Sequence, residues 1–253
     1  MIKISSVVLA KNEEANIKRC IESQLNCIDE IVVLIDNLTT DKTEEIVRRY
    51  DKVKYESVKW NGYAKTKMYG VSKTTNRWIF WIDADEEITP ELSDEILTMK
   101  NASPTYPAYS VARRAFFLGK WIKHCGWYPG RVVRLFDKER VKFKDKEVHE
   151  HLDFKGEAGI LKNDLNHYTD PSIEHYYEKF NRYTSLAAKD LLNRNKAFSL
   201  TGLLFRPFFL FIKMYIFRLG FLDGKHGLIL SALSANYVFT KYAKLWELSR
   251  KES

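Results

Sequence analysis

The residues best placed by type and spacing to do chemistry are two aspartates in the segment Arg77-Trp-Ile-Phe-Trp-Ile-Asp-Ala-Asp-Glu-Glu-Ile88. Asp83 and Asp85 flank Ala84, and an unbroken apolar run from Trp78 to Ile82 precedes them. Such a run, β-branched and aromatic, suits a central parallel strand buried on both faces. If the backbone stays extended through residue 85, both side chains project to one side, because strand residues two apart share a face. They then leave the carboxyl end of the strand, where open α/β sheets place their ligands. Two adjacent carboxylates repel, and without a cation one of them tends to keep a proton. A divalent ion removes that conflict, and an all-oxygen site favours Mg2+ or Mn2+, which commonly neutralise a diphosphate. Asp-x-Asp also arises by chance as a solvated turn before a helix. Its place after a buried strand favours the site.

The elements that must position these acids follow from periodicity. Ile4-Ser-Ser-Val-Val-Leu9 reads as a strand, and Ile17, Cys20, Ile21 and Leu25 recur at helical spacing. Asn12 is placed to cap that helix, with Glu13 and Glu14 in its first turn. Glu30–Ile35 is a second buried strand ending at Asp36, and Asp41 with Glu44 starts a helix. Lys52–Val58 is a weaker strand and Gly62–Ser72 a helix. Thr89-Pro90-Glu91 is a helix entry, a cap followed by proline at the first helical position. Four βα units in about a hundred residues predict a doubly wound, mainly parallel sheet. Short strands follow at Ala108–Phe117, Arg131–Phe136, Val141–Phe143 and Leu152–Phe154, with turns at Gly119, Gly126, Pro129 and Gly130. From Ser172 the pattern is helical. The division expected is a sheet domain over residues 1–170 and a helical extension over 171–253.

Composition narrows the partners. The chain has 253 residues, 45% of them hydrophobic and 14% aromatic, which indicates a globular protein with ample core. A net charge of +8 implies an anionic partner. The basic residues are scattered rather than clustered, which argues against nucleic acid. Cys20, Cys27 and Cys125 have no metal-ligand spacing and read as buried thiols in a reducing compartment. No signal peptide opens the sequence, and no stretch of about 18 uncharged apolar residues is present. A cytoplasmic protein is expected. Gly202–Leu222, rich in Phe and Leu but interrupted by Arg206, Lys213 and Arg218, suits a helix lying in a bilayer interface. The alternatives are packing on the main domain or on a second subunit, so a homo-oligomer stays open. Phe221–Gly227 reads as a tight turn and Leu228–Leu248 as a final helix.

Several segments together resemble glycosyltransferase family 2, the inverting enzymes of GT-A fold. They are Val8-Leu-Ala-Lys-Asn-Glu-Glu14, Asp29–Asp36, Thr39-Thr-Asp41, Trp81-Ile-Asp-Ala-Asp-Glu86, Gly126-Trp-Tyr-Pro129, Arg131-Val-Val-Arg-Leu-Phe136, Val148-His-Glu150, His167-Tyr168, Gly220–Gly227 and Lys241–Trp246. The branch most similar is that of the lipopolysaccharide core β-glucosyltransferases. The resemblance implies a GT-A (Rossmann-like) mixed sheet flanked by helices, a UDP-sugar donor, a divalent metal and an anionic lipid-linked saccharide acceptor at the cytoplasmic face of the inner membrane. It implies that Leu9, Lys11 and Asp36 surround the nucleotide base, with Glu14 nearby, and that Lys65 approaches the nucleotide. Asp83 then meets the nucleotide sugar and Asp85 the metal. For Glu14 and Lys65, a helix-start acid and a solvated lysine are the plainer readings.

An inverting transfer needs a base for the acceptor hydroxyl, and a carboxylate within hydrogen-bond reach serves. Glu150 is the candidate, with Asp145 and Glu147 as rivals. His167 is a candidate third ligand to the metal, or else a structural histidine. Arg131 and Arg134 could face the leaving diphosphate or acceptor phosphates, or form a solvated strand face. Trp127, with Trp121 and Tyr128, could wall a sugar ring or pack in a core. Asn37-Leu38 stands where the family has small residues, and the Gln-x-x-Arg-Trp signature of processive members is absent. One sugar per encounter is therefore expected. Two other classes compete. A nucleotidyltransferase normally carries a Gly-rich basic loop after its first strand, where this chain has Ala-Lys-Asn-Glu-Glu. A non-catalytic sugar-binding protein is disfavoured by intact acids at 83, 85 and 150.

Overall fold

The computed structural model describes residues 1–102, 104–144 and 151–250. In chain order the elements are β1 (Ile4–Ala10), α1 (Ile17–Gln24), β2 (Glu30–Asp36), α2 (Thr43–Val47), β3 (Val53–Val58), α3 (Tyr63–Ser72) and β4 (Trp78–Asp83). Next come β5 (Glu86–Ile88), α4 (Pro90–Asn101), β6 (Ala108–Phe117), β7 (Lys120–Trp121), β8 (Gly130–Asp137), β9 (Val141–Lys144), β10 (His151–Phe154) and β11 (Gly159–Asp170). Three helices follow, α5 (Ile173–Asn193), α6 (Leu200–Ile212) and α7 (Lys225–Ser249). A π-helical turn, Lys213–Phe217, and a short 3-10 helix, Gly220–Asp223, lie between α6 and α7.

The main sheet runs β3-β2-β1-β4-β8-β6-β11-β5, with β7 on β6. The pairs β3–β2, β2–β1 and β1–β4 are parallel, whereas β4–β8 and β11–β5 are antiparallel. This is the mixed, mainly parallel sheet flanked by helices that the sequence implies. Its first half has strand order 3-2-1-4, so the chain reverses direction across the sheet between β1 and β4. Every residue of β1 and β2 is buried, as strands covered by helices on both faces must be. In β4 the alternation is complete: Phe80 and Ile82 join one core with Val8, Ile21, Leu92 and Ile96, while Ile79 and Trp81 join the other with Val7, Val71 and Phe136.

Two compact units divide the chain. The first comprises Met1–Arg113 and Arg131–His167, the second Arg114–Gly130 and Tyr168–Ser253. In the second unit α5 is capped by Ser172 and α6 by Ser199, whose hydroxyls accept from His175 N–H and Gly202 N–H. The segment Gly220–Gly227 is a structural knot. A Cβ on Gly227 would fall 1.9 Å from the Gly220 carbonyl oxygen, so only glycine allows that approach. Between them the buried Asp223 carboxylate accepts from the backbone N–H groups of Lys123 and His124.

The fold departs from expectation in three places. Asn12 does not cap α1: it sits at a left-handed φ of 53° and its side chain accepts from Thr40 N–H at 2.8 Å. Helix α1 starts at Ile17 instead, so Glu13 and Glu14 lie ahead of it. Strand β11, twelve residues long, was not anticipated, because Lys162, Asn163 and Asp164 break its apolar alternation. Tertiary contacts satisfy that polar stretch: Glu95 accepts from the N–H groups of Lys162 and Asn163, and Thr89 Oγ1 donates to the Asp164 carbonyl. The short strands β5 and β7 also lie below what pattern reading resolves.

Candidate active site

The acids gather at the carboxyl ends of β1, β2 and β4. Leu9 pairs across to Asp83 on β4 and to Leu34 on β2, and packs with Val32, Leu34, Val58 and Trp60. Asp36 closes β2 almost fully buried. Its carboxylate meets Lys11 Nζ at 2.9 Å and accepts from Leu38 N–H at 2.9 Å. Burial alone would raise the Asp36 pKa, but those two partners outweigh it and hold the carboxyl below its ordinary value. Glu14 is occupied in a loop brace, accepting from Lys42 N–H at 3.0 Å while its own N–H donates to Asp41. Lys65 is exposed on α3 and lines a cleft of about 520 Å³ with Ser57, Lys59 and Thr66.

The strand stops at Asp83, and Ala84 and Asp85 form a turn into β5. Strand alternation therefore does not carry both acids to one side, and the tertiary structure supplies each with different partners. Asp83 accepts from Lys67 Nζ at 2.9 Å and from Arg134 Nη2 at 2.6 Å. Asp85 Oδ2 lies 3.3 Å from His167 Nε2. Arg134 also donates to Glu86 Oε1 at 2.5 Å, and Glu86 Oε2 accepts from the Asp83 N–H at 3.1 Å. The fully buried Glu86 faces a second cation, Arg113, at 3.7 Å. Burial works against the charge of Asp83, yet Arg134 and Lys67 hold its carboxyl far below the usual carboxylate range. Arg134, itself buried, is held charged by Asp83 and Glu86 against the same desolvation. Burial lowers the His167 pKa, but the adjacent Asp85 more than offsets this, and the net shift is upward.

Local structure explains the aim of each group. Gly70 lets α3 approach the sheet closely: a Cβ there would meet Val7 Cγ1 at 2.5 Å. That approach buries Lys67, three residues earlier on the same helical face, over the Trp81 ring at 4.3 Å and beside Asp83. His167 reaches the turn because β11 pairs with β5 in a register that sets His167 opposite Glu86. Arg134 comes from β8, the antiparallel neighbour of β4.

Of the sequence candidates, Leu9 lies beside Asp83 in the sheet, Lys11 meets Asp36, Arg134 meets Asp83, and Asp85 meets His167. Arg131, also on β8, donates to the Leu161 carbonyl at 3.2 Å. Trp127 belongs to the second unit, where it stacks edge-on against Phe117 at 6.3 Å. Trp121 and Tyr128 meet edge-on at 5.4 Å, with Arg114 and Lys123 over the Trp121 ring. Glu150, Asp145 and Glu147 lie outside the described residues. Sequence reasoning missed Lys67, Glu86 and Arg113. Lys67 had a signal: it shares the spacing of Ala64, Gly70 and Val71, so a lysine falls on the face of α3 that packs on the sheet. Among the described residues no three metal-binding side chains converge. Asp85 and His167 nonetheless form an adjacent oxygen and nitrogen pair. That fits an ion of the Mg2+ or Mn2+ kind, which usually takes one or two protein ligands and completes its shell from phosphate and water.

A parallel 3-2-1-4 half-sheet with acids at its carboxyl ends is the layout of a nucleotide-binding α/β protein. The model of the family "Glycosyl transferase family 2" matches residues 5–155, and the chain belongs to that family. It is accordingly a glycosyltransferase. An uncharacterised glycosyltransferase of Rickettsia typhi is 34% identical, over 99% of this chain and 89% of its own. The lipopolysaccharide core biosynthesis glycosyltransferase LpsC of Rhizobium meliloti is 27% identical over 97% of this chain and 93% of its own. Among solved structures, residues 1–349 of S. aureus TarS align over 100% of this chain and 92% of that one, with 16% identity and a TM-score of 0.47.

Proposed function

We propose that the protein is an inverting, metal-dependent hexosyltransferase. It moves one sugar, glucose from UDP-glucose, onto the phosphorylated saccharide of a lipid-linked acceptor of the lipopolysaccharide inner-core kind. The observation that carries this reading is the division of labour at the tip of β4. Asp83 is held ionised by Arg134 and Lys67, while Asp85 is set apart with His167. The family and the LpsC relative support a sugar acceptor of this class. Three buried free thiols fit a reducing, cytoplasmic compartment. Residues 1–170 act as the catalytic domain and 171–253 as the helical extension.

In this mechanism Asp36, with Leu9 and Lys11, receives the base, accepting from a ring N–H. Asp83 takes a sugar hydroxyl of the nucleotide, and its fixed ionisation makes it an acceptor only. Asp85 and His167 would hold the divalent ion, which when bound would neutralise negative charge on the diphosphate. Lys65 and Lys67 bring further positive charge to that end of the sheet. Glu150 takes the proton from the acceptor hydroxyl as it attacks C1, so that the C1–O bond to UDP breaks as the new C1–O bond forms. Arg131 is assigned to the acceptor. Arg134 is reassigned from acceptor phosphate to holding Asp83 and Glu86, since its guanidinium is buried between them.

The test is thermal stabilisation by UDP with Mn2+, together with donor hydrolysis across a panel of UDP-sugars. The wild type is expected to be stabilised and Asp85→Ala to gain almost nothing. Equal stabilisation of both removes Asp85 from the metal site. Glu150→Gln is expected to bind nucleotide and lose transfer. Retained turnover moves the base to Asp145 or Glu147.

A further inference from the structure

The helical unit carries an exposed apolar face whose border is cationic. No residue of α6 is buried, and the eighteen residues Leu200–Phe217, with a mean hydropathy of 1.5, are only 6% buried. At about 100° per residue, Leu204, Phe208, Ile212, Phe205 and Phe209 fall within one arc of roughly 140°. Phe208 and Phe209 are 59% and 63% exposed, and Phe217 beyond them reaches 75%. The opposite side of α6 is in use: Leu203 packs with Tyr242 and Leu245 of α7, and Leu210 with Met214 and Leu230. Arg206 and Lys213 lie between the two, with Arg206 over the Tyr242 ring at 5.2 Å. Phe221, Leu222, Leu228 and Ile229 extend the exposed apolar surface past the 3-10 helix.

Charge decides what covers this face. From Lys196 to Trp246 the sequence has seven Lys or Arg residues and one acid, Asp223. That acid is 2% exposed and is taken up by the backbone N–H groups of Lys123 and His124 and by the His124 ring. The exposed face therefore offers aromatics and cations and no carboxylate. A two-fold contact with a second copy would set like charges against each other with no acid to pair them. A bilayer carrying anionic headgroups answers both features at once. By length and composition Leu200–Phe217 could cross a membrane. Its packed side argues otherwise, because crossing would carry α7 with it, and α7 presents Asn236, Lys241 and Lys244 along its length.

We infer that α6, the π turn and the start of α7 form a docking face for an anionic bilayer, lying in the headgroup layer with Phe205, Phe208 and Phe209 down. The inference deepens the reading of a lipid-linked acceptor, yet it rests on this surface alone. The full chain is sedimented with phosphatidylcholine vesicles with and without phosphatidylglycerol, using wild type, Phe208→Ser/Phe209→Ser and Arg206→Gln/Lys213→Gln. Wild type is expected to bind the anionic vesicles and to be released by salt. The cation variant should partition about twenty-fivefold less, at roughly fivefold per charge. The phenylalanine variant should lose binding while keeping its melting temperature and its donor hydrolysis. Wild type that ignores anionic vesicles overturns the inference, as does unchanged binding by the phenylalanine variant. A concentration-dependent dimer that the same substitution disperses, without vesicle binding, overturns it in favour of a second copy. Vesicle binding without sugar transfer would instead count against the proposed reaction and leave the docking face standing.

Discussion

Strand β2 has an acid at each end, and the two are treated differently. At the amino end Glu30 is saturated by its own protein, taking a salt bridge from Lys54 at 2.7 Å, bonds from Thr75 N–H and Oγ1, and one from Ser5 Oγ. Neighbouring Asp29 accepts from Ile4 N–H and pairs with Lys100. At the carboxyl end, Asp36 leans on Lys11, whose side chain is half exposed, and Asp83 keeps 35% of its side chain in solvent. Asp36 thus has fewer protein partners than Glu30 although its side chain is fully buried, and Asp83 stays partly open to a ligand. A ligand crevice at the strand carboxyl ends can use that opening, because an acid already saturated by the fold has little left to offer a substrate.

The largest test of this contrast is Asp85→Asn. It should lower transfer about a thousandfold, as loss of a charge-stabilising group does, with no change in melting temperature. A stability loss with transfer retained would give Asp85 a structural role of the Glu30 kind. Arg134→Met should come next and cut across the contrast. It strands the buried Glu86 and part of Asp83, so a destabilisation of about 3 kcal/mol is expected in urea unfolding. Full stability in that variant would mean the pair carries no net weight. Asp36→Asn should then raise KM for the donor about tenfold and leave kcat near wild type, measured by steady-state kinetics. Equal losses in both constants would move Asp36 into the transition state.

Glu30→Gln should have the smallest effect, about 1 kcal/mol lost with kcat unchanged. Its pH signature sharpens the case. Burial would raise the Glu30 pKa, but Lys54, Ser5 and Thr75 pull it down to about 2. A carboxyl depressed in the folded state binds fewer protons there than in the unfolded chain. Its stabilisation is complete above about pH 4.5 and drains away as pH falls toward 2. The variant's melting curve should therefore fall less steeply than wild type across that window. Parallel curves would remove Glu30 as a source of acid lability.

Much of this was legible in the residues themselves. The five-residue apolar run before Asp83, the cap Thr89 and the positions of the first four strands follow from local rules of burial and capping. Strand β11 was not legible, because its polar middle is satisfied by Glu95 and Thr89 from another element. Lys65, singled out by the family resemblance, is exposed, whereas Lys67 on the packed face of α3 meets Asp83, a partner no local pattern names.

The sequence by itself determined the order of βα units, the family and the acids at the tip of β4, since these depend on near neighbours and side-chain type. Only the tertiary structure decided which cation each acid meets. Arg134 reaches Asp83 from 51 residues away, and His167 reaches Asp85 through the pairing of β11 with β5. Strand partners are chosen by the whole sheet, and no local pattern encodes them.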